Sequence, residues 1–279
     1  MAKKLTIGIP DVKNIKLSAS KIMVVALIVM AFAIGMLYQK VQNLQGSGTS
    51  TTLGAQTAAS PVAQAPAGPK VTLDQVKALW GKDLIKFGDA NKKLLFVEVG
   101  DPSCPFCHAA TGENHAIYQA LGGSNFKLIA DGGTYDAPVL EMRKLIDNGT
   151  ASFAYVYYPG HGNGEMGMKA LYCANEKGKF WDVHDLLMSD NGYNLMNNTV
   201  KNDKTQSGTV ATFLKSAVDP TFLKSCIDSG KYDQRLGADM TIAGSLGVSG
   251  TPGFIINDTV YPGAYGWGDM KTTVDTALK

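Results

Sequence analysis

The chain has 279 residues, 45% of them hydrophobic and 18% charged, the balance of a globular protein rather than a disordered or fibrous one. Its formal charge of +2 hides an asymmetry: residues 1–70 carry seven lysines against a single acid, Asp11, so the remainder is net acidic. The basic balance belongs to the N-terminal segment, gives no argument for nucleic-acid binding, and no nucleic-acid partner is expected.

In chain order, residues 1–20 read as a basic cytoplasmic N-terminus. Ile22–Tyr38 is a run of 17 residues without a charge, bracketed by Lys21 and Lys40. As a helix it spans roughly 25 Å, at the short end of what a bilayer needs. Five lysines precede it, so residues 21–39 are predicted to be a single transmembrane anchor with everything after it outside the cytoplasm, on the periplasmic or cell-envelope side. A cleavable signal peptide is the rival, but Gln39-Lys40-Val41-Gln42-Asn43 offers no small-residue cleavage site. Residues 40–70 read as a flexible linker, because Gln45–Pro69 is rich in Gly, Ser, Thr, Ala and Pro and has no charge. The folded domain is predicted over 71–279.

Within it, Val71–Trp80 has helical spacing, and Leu94–Val99 (LLFVEV) is a short apolar run of the kind buried strands show. A loop follows, then a helix-compatible stretch from Cys104 to about Leu121. Tyr135–Asn148 reads as a helix ended by Gly149, and Phe153–Pro159 as a second buried strand. From about 160 to 247 the character is helical, with segments Glu165–Asn175, Phe180–Met188, Val210–Val218, Thr221–Ser229 and Tyr232–Leu246. Gly253–Asn257 and Asp258–Tyr261 suggest a hairpin, and Trp267–Leu278 a closing helix. Strands alternating with helices around a helical block give an α/β domain with an α-helical insertion.

The chemistry points to Cys104-Pro-Phe-Cys107, where a strand leads into Cys-x-x-Cys and a helix begins. Unpaired backbone N–H groups at a helix start favour an anion, so a thiolate at Cys104 is expected to be stabilised there. Pro105 suits the first helical turn. Cys107, one turn further in, is placed to resolve a mixed disulfide. Glu98 is the one charge in an apolar strand, six residues before Cys104. A buried carboxylate is costly without a partner or a task. Beneath the cysteines it would move the proton of Cys107; the blander alternative is a solvent-facing Glu or one paired with Lys92 or Lys93. Thr251-Pro252, entering the hairpin, is a place for a cis bond that brings backbone to the cysteines and offers an edge to a bound peptide.

These residues resemble the DsbA-like disulfide oxidoreductases of the thioredoxin superfamily. The resemblance covers about 94–278 and rests on Glu98, Asp101 and CPFC, on LYCANEKGKFWDVHDLL (171–187), on GVSGTPGFIIN (247–257) and on Gly263-Ala264. It implies a thioredoxin-like fold whose helical insertion covers the active site. It also implies a nucleophile at Cys104, a resolving thiol at Cys107, a cis-Pro at Pro252 and a buried acid at Glu98. Reduced cysteines of exported proteins would be the substrates, and an integral-membrane, quinone-linked partner would reoxidise the pair; no cofactor beyond the cysteines is expected. Cys173 and Cys226 lie where some relatives carry a second pair, and a structural disulfide between two helices is expected. One departure concerns redox strength. The best-known oxidants of the family have His between the cysteines, whereas here Pro105-Phe106 stands there and His108 follows, so a milder oxidant is consistent with the motif.

Three other readings compete. Cys104-x-x-Cys107-His108 also fits c-type haem attachment, although this leaves Glu98 and Thr251-Pro252 without a role. Zinc needs two close ligand pairs, and Cys173 and Cys226 lack neighbours of that kind, while His115, His161 and His184 are scattered. The third is a thioredoxin-fold chaperone or scaffold without redox turnover, in which Phe106, Tyr157, Tyr158 and a groove near Pro252 bind unfolded peptides.

Overall fold

The computed structural model describes residues 71–279, in which five strands form one mixed sheet. Strands β1 (Ile85–Phe87), β2 (Leu94–Gly100), β3 (Ala151–Tyr157), β4 (Gly253–Ile256) and β5 (Thr259–Pro262) lie in the order β1-β3-β2-β4-β5. β2 and β3 are parallel, and the other pairings are antiparallel. Every residue of β2 and β3 is buried, which is why both read as continuous apolar runs: a parallel pair covered on two faces has no solvent side to mark with polar residues.

The two faces are built from alternate positions. Phe96, Phe153, Tyr155, Tyr157, Phe254 and Ile256 join one core. Against it pack helices α4 (Pro138–Asp147), α5 (Glu165–Asn175), α6 (Phe180–Met188) and α11 (Trp267–Leu278). Leu95, Val97, Val99, Val156 and Ile255 face the other way, onto α1 (Leu73–Lys77) and the end of α10 (Asp233–Ser245). Residues between β3 and β4 are helical: after α5 and α6 come α7 (Asp190–Asn194), α8 (Ser207–Phe213), α9 (Pro220–Asp228) and α10. Their apolar faces continue the first core, through Val210, Leu223 and Cys226.

Local chemistry accounts for several boundaries. Helix α2 (Pro105–Thr111) ends at Gly112, well short of the stretch to Leu121 that its sequence permits; α3 (Ile117–Ala120) is a separate single turn. Gly112 has φ +77° and packs so closely on Ala137 and Leu140 that a Cβ would collide. α4 starts at Pro138 rather than Tyr135, with Pro at its first turn. α9 is capped by the Asp219 carboxylate, which accepts from Phe222 N at 2.8 Å. β1 is an addition to the expected strands, as is the π-helical turn Leu195–Val200 that continues α7.

Cys173 of α5 and Cys226 of α9 form a disulfide across 53 residues. In the chain-entropy picture, closing such a loop contributes about 4 kcal/mol. The double variant Cys173→Ala/Cys226→Ala should therefore lose up to about that much stability in denaturant titration. A loss unchanged by adding reductant to the wild type would contradict it.

Among the described residues no helix is long and apolar enough to cross a membrane. The predicted cytoplasmic segment 1–20, anchor 21–39 and linker 40–70 lie outside the described residues.

Candidate active site

The site begins where β2 ends. Asp101, fully buried, follows the strand and receives four hydrogen bonds. Its Oδ1 accepts from Ser103 N (2.7 Å) and Ser103 Oγ (2.8 Å); its Oδ2 accepts from Gly160 N (2.8 Å) and His161 N (2.9 Å). One carboxylate thus ties the loop after β2 to the loop after β3. The clasp extends into the helical segment. Asn163 N donates to Ser103 Oγ at 3.1 Å, and Asn197, from the π-helical turn, donates to the Ser103 carbonyl at 3.0 Å. Ser103, Asn163 and Asn197 were not identifiable as site residues from the sequence. The spacing Asp101-x-Ser103 carries a short-range turn signal, but the partners are some 60 residues away.

Held by this loop, Cys104 is the N-cap of α2, in extended conformation, with Pro105 at the first helical position. Cys104 and Cys107 are unpaired thiols; Cys104 is 3% exposed and Cys107 not at all. The Cys107 side chain donates to the Cys104 sulfur, and together with the backbone N–H groups of Cys107 and Phe106 and the Thr251 side chain it outweighs burial, drawing the Cys104 thiol down to about 7. Cys107 moves the opposite way. Burial, the hydrogen bond to Cys104 and the nearby negative groups Cys104, Asp101 and Glu98 push its thiol well above the usual range. The pair is therefore strongly asymmetric, one sulfur ionisable near neutrality and the other held as a thiol.

Thr251–Pro252 is a cis peptide bond. The Cys104 thiol donates to the Thr251 carbonyl at 3.3 Å, and the Thr251 hydroxyl has no other partner, which leaves it as a donor for a thiolate. Gly160 packs against the Thr251 side chain and Cys104 Cβ, where any side chain would collide. Residues far apart in the chain thus meet within one contact of the sulfur.

Glu98 lies beneath, in β2, paired in register with Tyr155 on one side and Phe254 on the other. It is completely buried, neither carboxylate oxygen has a protein partner, and burial raises its carboxyl to about 7, with His184 pulling the other way. No ion pair with Lys92 or Lys93 forms; Lys93 Nζ reaches instead the carbonyls of Leu278 and Lys279.

His108 is turned inward, its Nδ1 2.8 Å from the Met188 carbonyl and its Nε2 2.9 Å from the Pro102 carbonyl. Burial lowers it to about 4. With both nitrogens engaged and both cysteines buried, the Cys-x-x-Cys-His geometry lends no support to haem attachment. Cys173, Glu176 and Cys226 form the one group of possible metal ligands among the described residues, but the two sulfurs are joined to each other. His115 is exposed and pairs with Asp131, and His161 contributes its backbone N–H. Phe106 is 41% exposed beside the cysteines and packs edge-on against Phe126, whereas Tyr157 is core and Tyr158 half-buried.

Comparison with solved structures identifies the architecture. BdbD from Bacillus subtilis, in its oxidised form, superposes with a TM-score of 0.51 at 18% identity, over 76% of this chain and 97% of that one. The fold is thioredoxin-like. DsbA from Chlamydia trachomatis aligns at 15% identity with a TM-score of 0.51, over 70% and 91% of the two chains. A variant of alpha-DsbA1 from Wolbachia pipientis aligns at 15% identity and 0.53, over 75% and 96%. A family model described as Thioredoxin matches residues 139–276 of the thioredoxin-like domain. That stretch contains the Cys173–Cys226 disulfide and Thr251-Pro252 but begins after the Cys104–Cys107 pair. No curated protein is similar enough to the sequence to serve as a relative.

Proposed function

We propose that this chain is a protein thiol–disulfide oxidoreductase that introduces disulfides into exported proteins through Cys104 and Cys107. The observation that carries the proposal is the asymmetry of the pair: a sulfur drawn to about 7 at the mouth of a helix, against a buried partner held as a thiol. Thiol–disulfide exchange needs that combination of a thiolate that attacks or leaves readily and a second thiol that resolves.

In the oxidising direction a substrate thiolate attacks the Cys104 sulfur of the Cys104–Cys107 disulfide. Cys107 leaves as a thiolate, takes a proton from Glu98, and a mixed disulfide is left on Cys104. A second substrate thiolate attacks the substrate sulfur of that mixed disulfide, and Cys104 departs as the stabilised thiolate. Two substrate thiols have become a disulfide, and the protein pair is reduced. Thr251 and Pro252 present backbone to the substrate beside the reacting sulfur, and exposed Phe106 gives an unfolded segment an apolar contact.

The Cys173–Cys226 disulfide supports an oxidising compartment, as do the basic residues ahead of the apolar run at 22–38. Residues 21–39 would anchor the domain at the membrane, close to an integral-membrane, quinone-linked partner that restores the disulfide.

Titration of the thiolate absorbance should show Cys104 ionising near 7, and Cys104→Ser should abolish exchange in an RNase refolding assay. Ionisation like that of free cysteine, about 8.5, would overturn the reading. The potential of the pair in glutathione buffers decides direction: a value near thioredoxin's, about −270 mV, would make the protein a reductant instead.

A further inference from the structure

Glu98 is not alone on its face of the sheet. Tyr155 stands beside it in register, and His184 of α6 lies over them, stacked on Phe180 (centroids 5.4 Å) and edge-on to Tyr155 (6.1 Å). Glu98 Oε1 and Oε2, the Tyr155 hydroxyl and His184 Nε2 are all buried without a protein hydrogen-bond partner. Buried polar atoms are rarely left unpaired, and four in one patch demand an explanation. Behind His184 the surroundings change. Its Nδ1 is 3.1 Å from Asp185 Oδ1, Asp185 Oδ2 is held by Arg143 Nη1 at 2.5 Å, and the Asp185 side chain is 30% exposed. With Nδ1–H donating to Asp185, Nε2 is left as a bare acceptor on the Glu98 side. The imidazole therefore bridges a sealed acid and a solvent-touched one.

We propose that His184 is a positioning residue that carries protons between Glu98 and solvent, by way of Asp185, each time Cys107 changes protonation. The inference rests on Cys104 and Cys107 being the exchanging pair. When Cys107 resolves a mixed disulfide, its S–H proton passes to the Glu98 carboxylate while its sulfur bonds to Cys104 and the substrate thiolate departs. Glu98 then passes the proton to His184 Nε2, the imidazolium is held by the Asp185 carboxylate, and one proton is lost to solvent from the Asp185 side. In the oxidising direction the same path delivers the proton that the departing Cys107 requires. The groups around this path are Cys107 and His108 from α2, Tyr155 from β3, Asp101, and on the outer side Arg143 and Glu113. Burial and Asp185 raise the Glu113 carboxyl, so it titrates beside the outlet.

The test is a double-mutant cycle, read as the pH–rate profile of disulfide reduction by dithiothreitol in the full-length protein. Glu98→Gln and His184→Gln should each slow the step in which Cys107 changes protonation by about tenfold or more. The double variant should be no slower than Glu98→Gln alone, because His184 acts only through Glu98. Multiplying losses, or a His184→Gln profile superimposable on wild type, would overturn the relay while leaving the oxidoreductase reading intact. A wild type that does not exchange with dithiothreitol would defeat both together. Should His184→Gln fail to fold, Asp185→Asn, on the exposed side, should flatten the same profile, and an unaltered one there is equally fatal.

Discussion

Replacing Glu98 with glutamine should make the protein with both active-site thiols reduced more stable relative to wild type by about 3 kcal/mol at pH 8, with almost none of that gain at pH 4. The native carboxyl ionises near 7 because burial disfavours its charge, whereas in the unfolded chain it ionises near 4.5. Between those values the native state holds a proton that the unfolded state has released. Wild-type stability is therefore fully present below about 4.5, falls as pH rises, and levels off above about 7. Glutamine cannot ionise, so the difference between variant and wild type should trace that window. Any fixed cost of burying an unpaired amide moves the whole difference curve without changing its slope. Asp239 is also raised, to about 6, mainly by burial, but it is present in both proteins and cancels. The same variant should exchange disulfides at least ~100-fold more slowly if Glu98 handles the Cys107 proton. Denaturant titration across pH, paired with exchange kinetics, checks both halves; a stability difference independent of pH would sink the buried-acid account.

The opposed effects of one residue show which parts of this domain can be read from a linear sequence. Glu98 stands out because it is a lone charge in LLFVEV, and that pattern is local. The cysteine pair, Pro105 and Thr251-Pro252 are legible for the same reason: turn and cap chemistry depends on neighbours in the chain. β1 escapes because Ile85–Phe87 is only three residues long and centred on Lys86, whose ammonium folds back onto the Trp80 carbonyl at 2.7 Å. The turn Leu195–Val200 escapes because an Asn-rich stretch looks like a loop, yet packing of Met196 and Val200 into the core holds it as a helix.

His184 illustrates a different obstacle. In FWDVHDLL it has the spacing of a buried helix face, and packing is the simplest account of such a residue. Its position over Tyr155 and beside Asp185 exists only once α6 lies on the sheet. The surroundings of Glu98 are hidden for the same reason, since burial without a partner is a property of the folded face. Asp101 sits between the two cases: the resemblance to disulfide oxidoreductases singles it out, but its donors come from the loop after β3.

Asp101→Ala should cost about 4 kcal/mol, because it strips the shared acceptor from four donors in a buried loop. The damage should reach the chemistry as well. Gly160 and His161, once released, no longer hold the loop after β3 against Thr251 and the Cys104 side chain. Amide exchange at those two residues should accelerate, and exchange at Cys104 should slow, even under conditions where the variant remains folded. Electrostatics push the other way at the second sulfur. Asp101 is one of the negative groups that keep the Cys107 thiol raised, so its loss should let Cys107 ionise more readily and narrow the gap between the two thiols. Asp101→Asn separates these effects: it retains one acceptor oxygen and the side-chain volume but removes the charge. It should recover part of the lost stability while leaving Cys107 as acidic as in the alanine variant. Equal thiol ionisation in wild type and both variants would show that Asp101 acts through loop geometry alone, and unchanged stability in Asp101→Ala would show that the clasp does not bind the two loops at all.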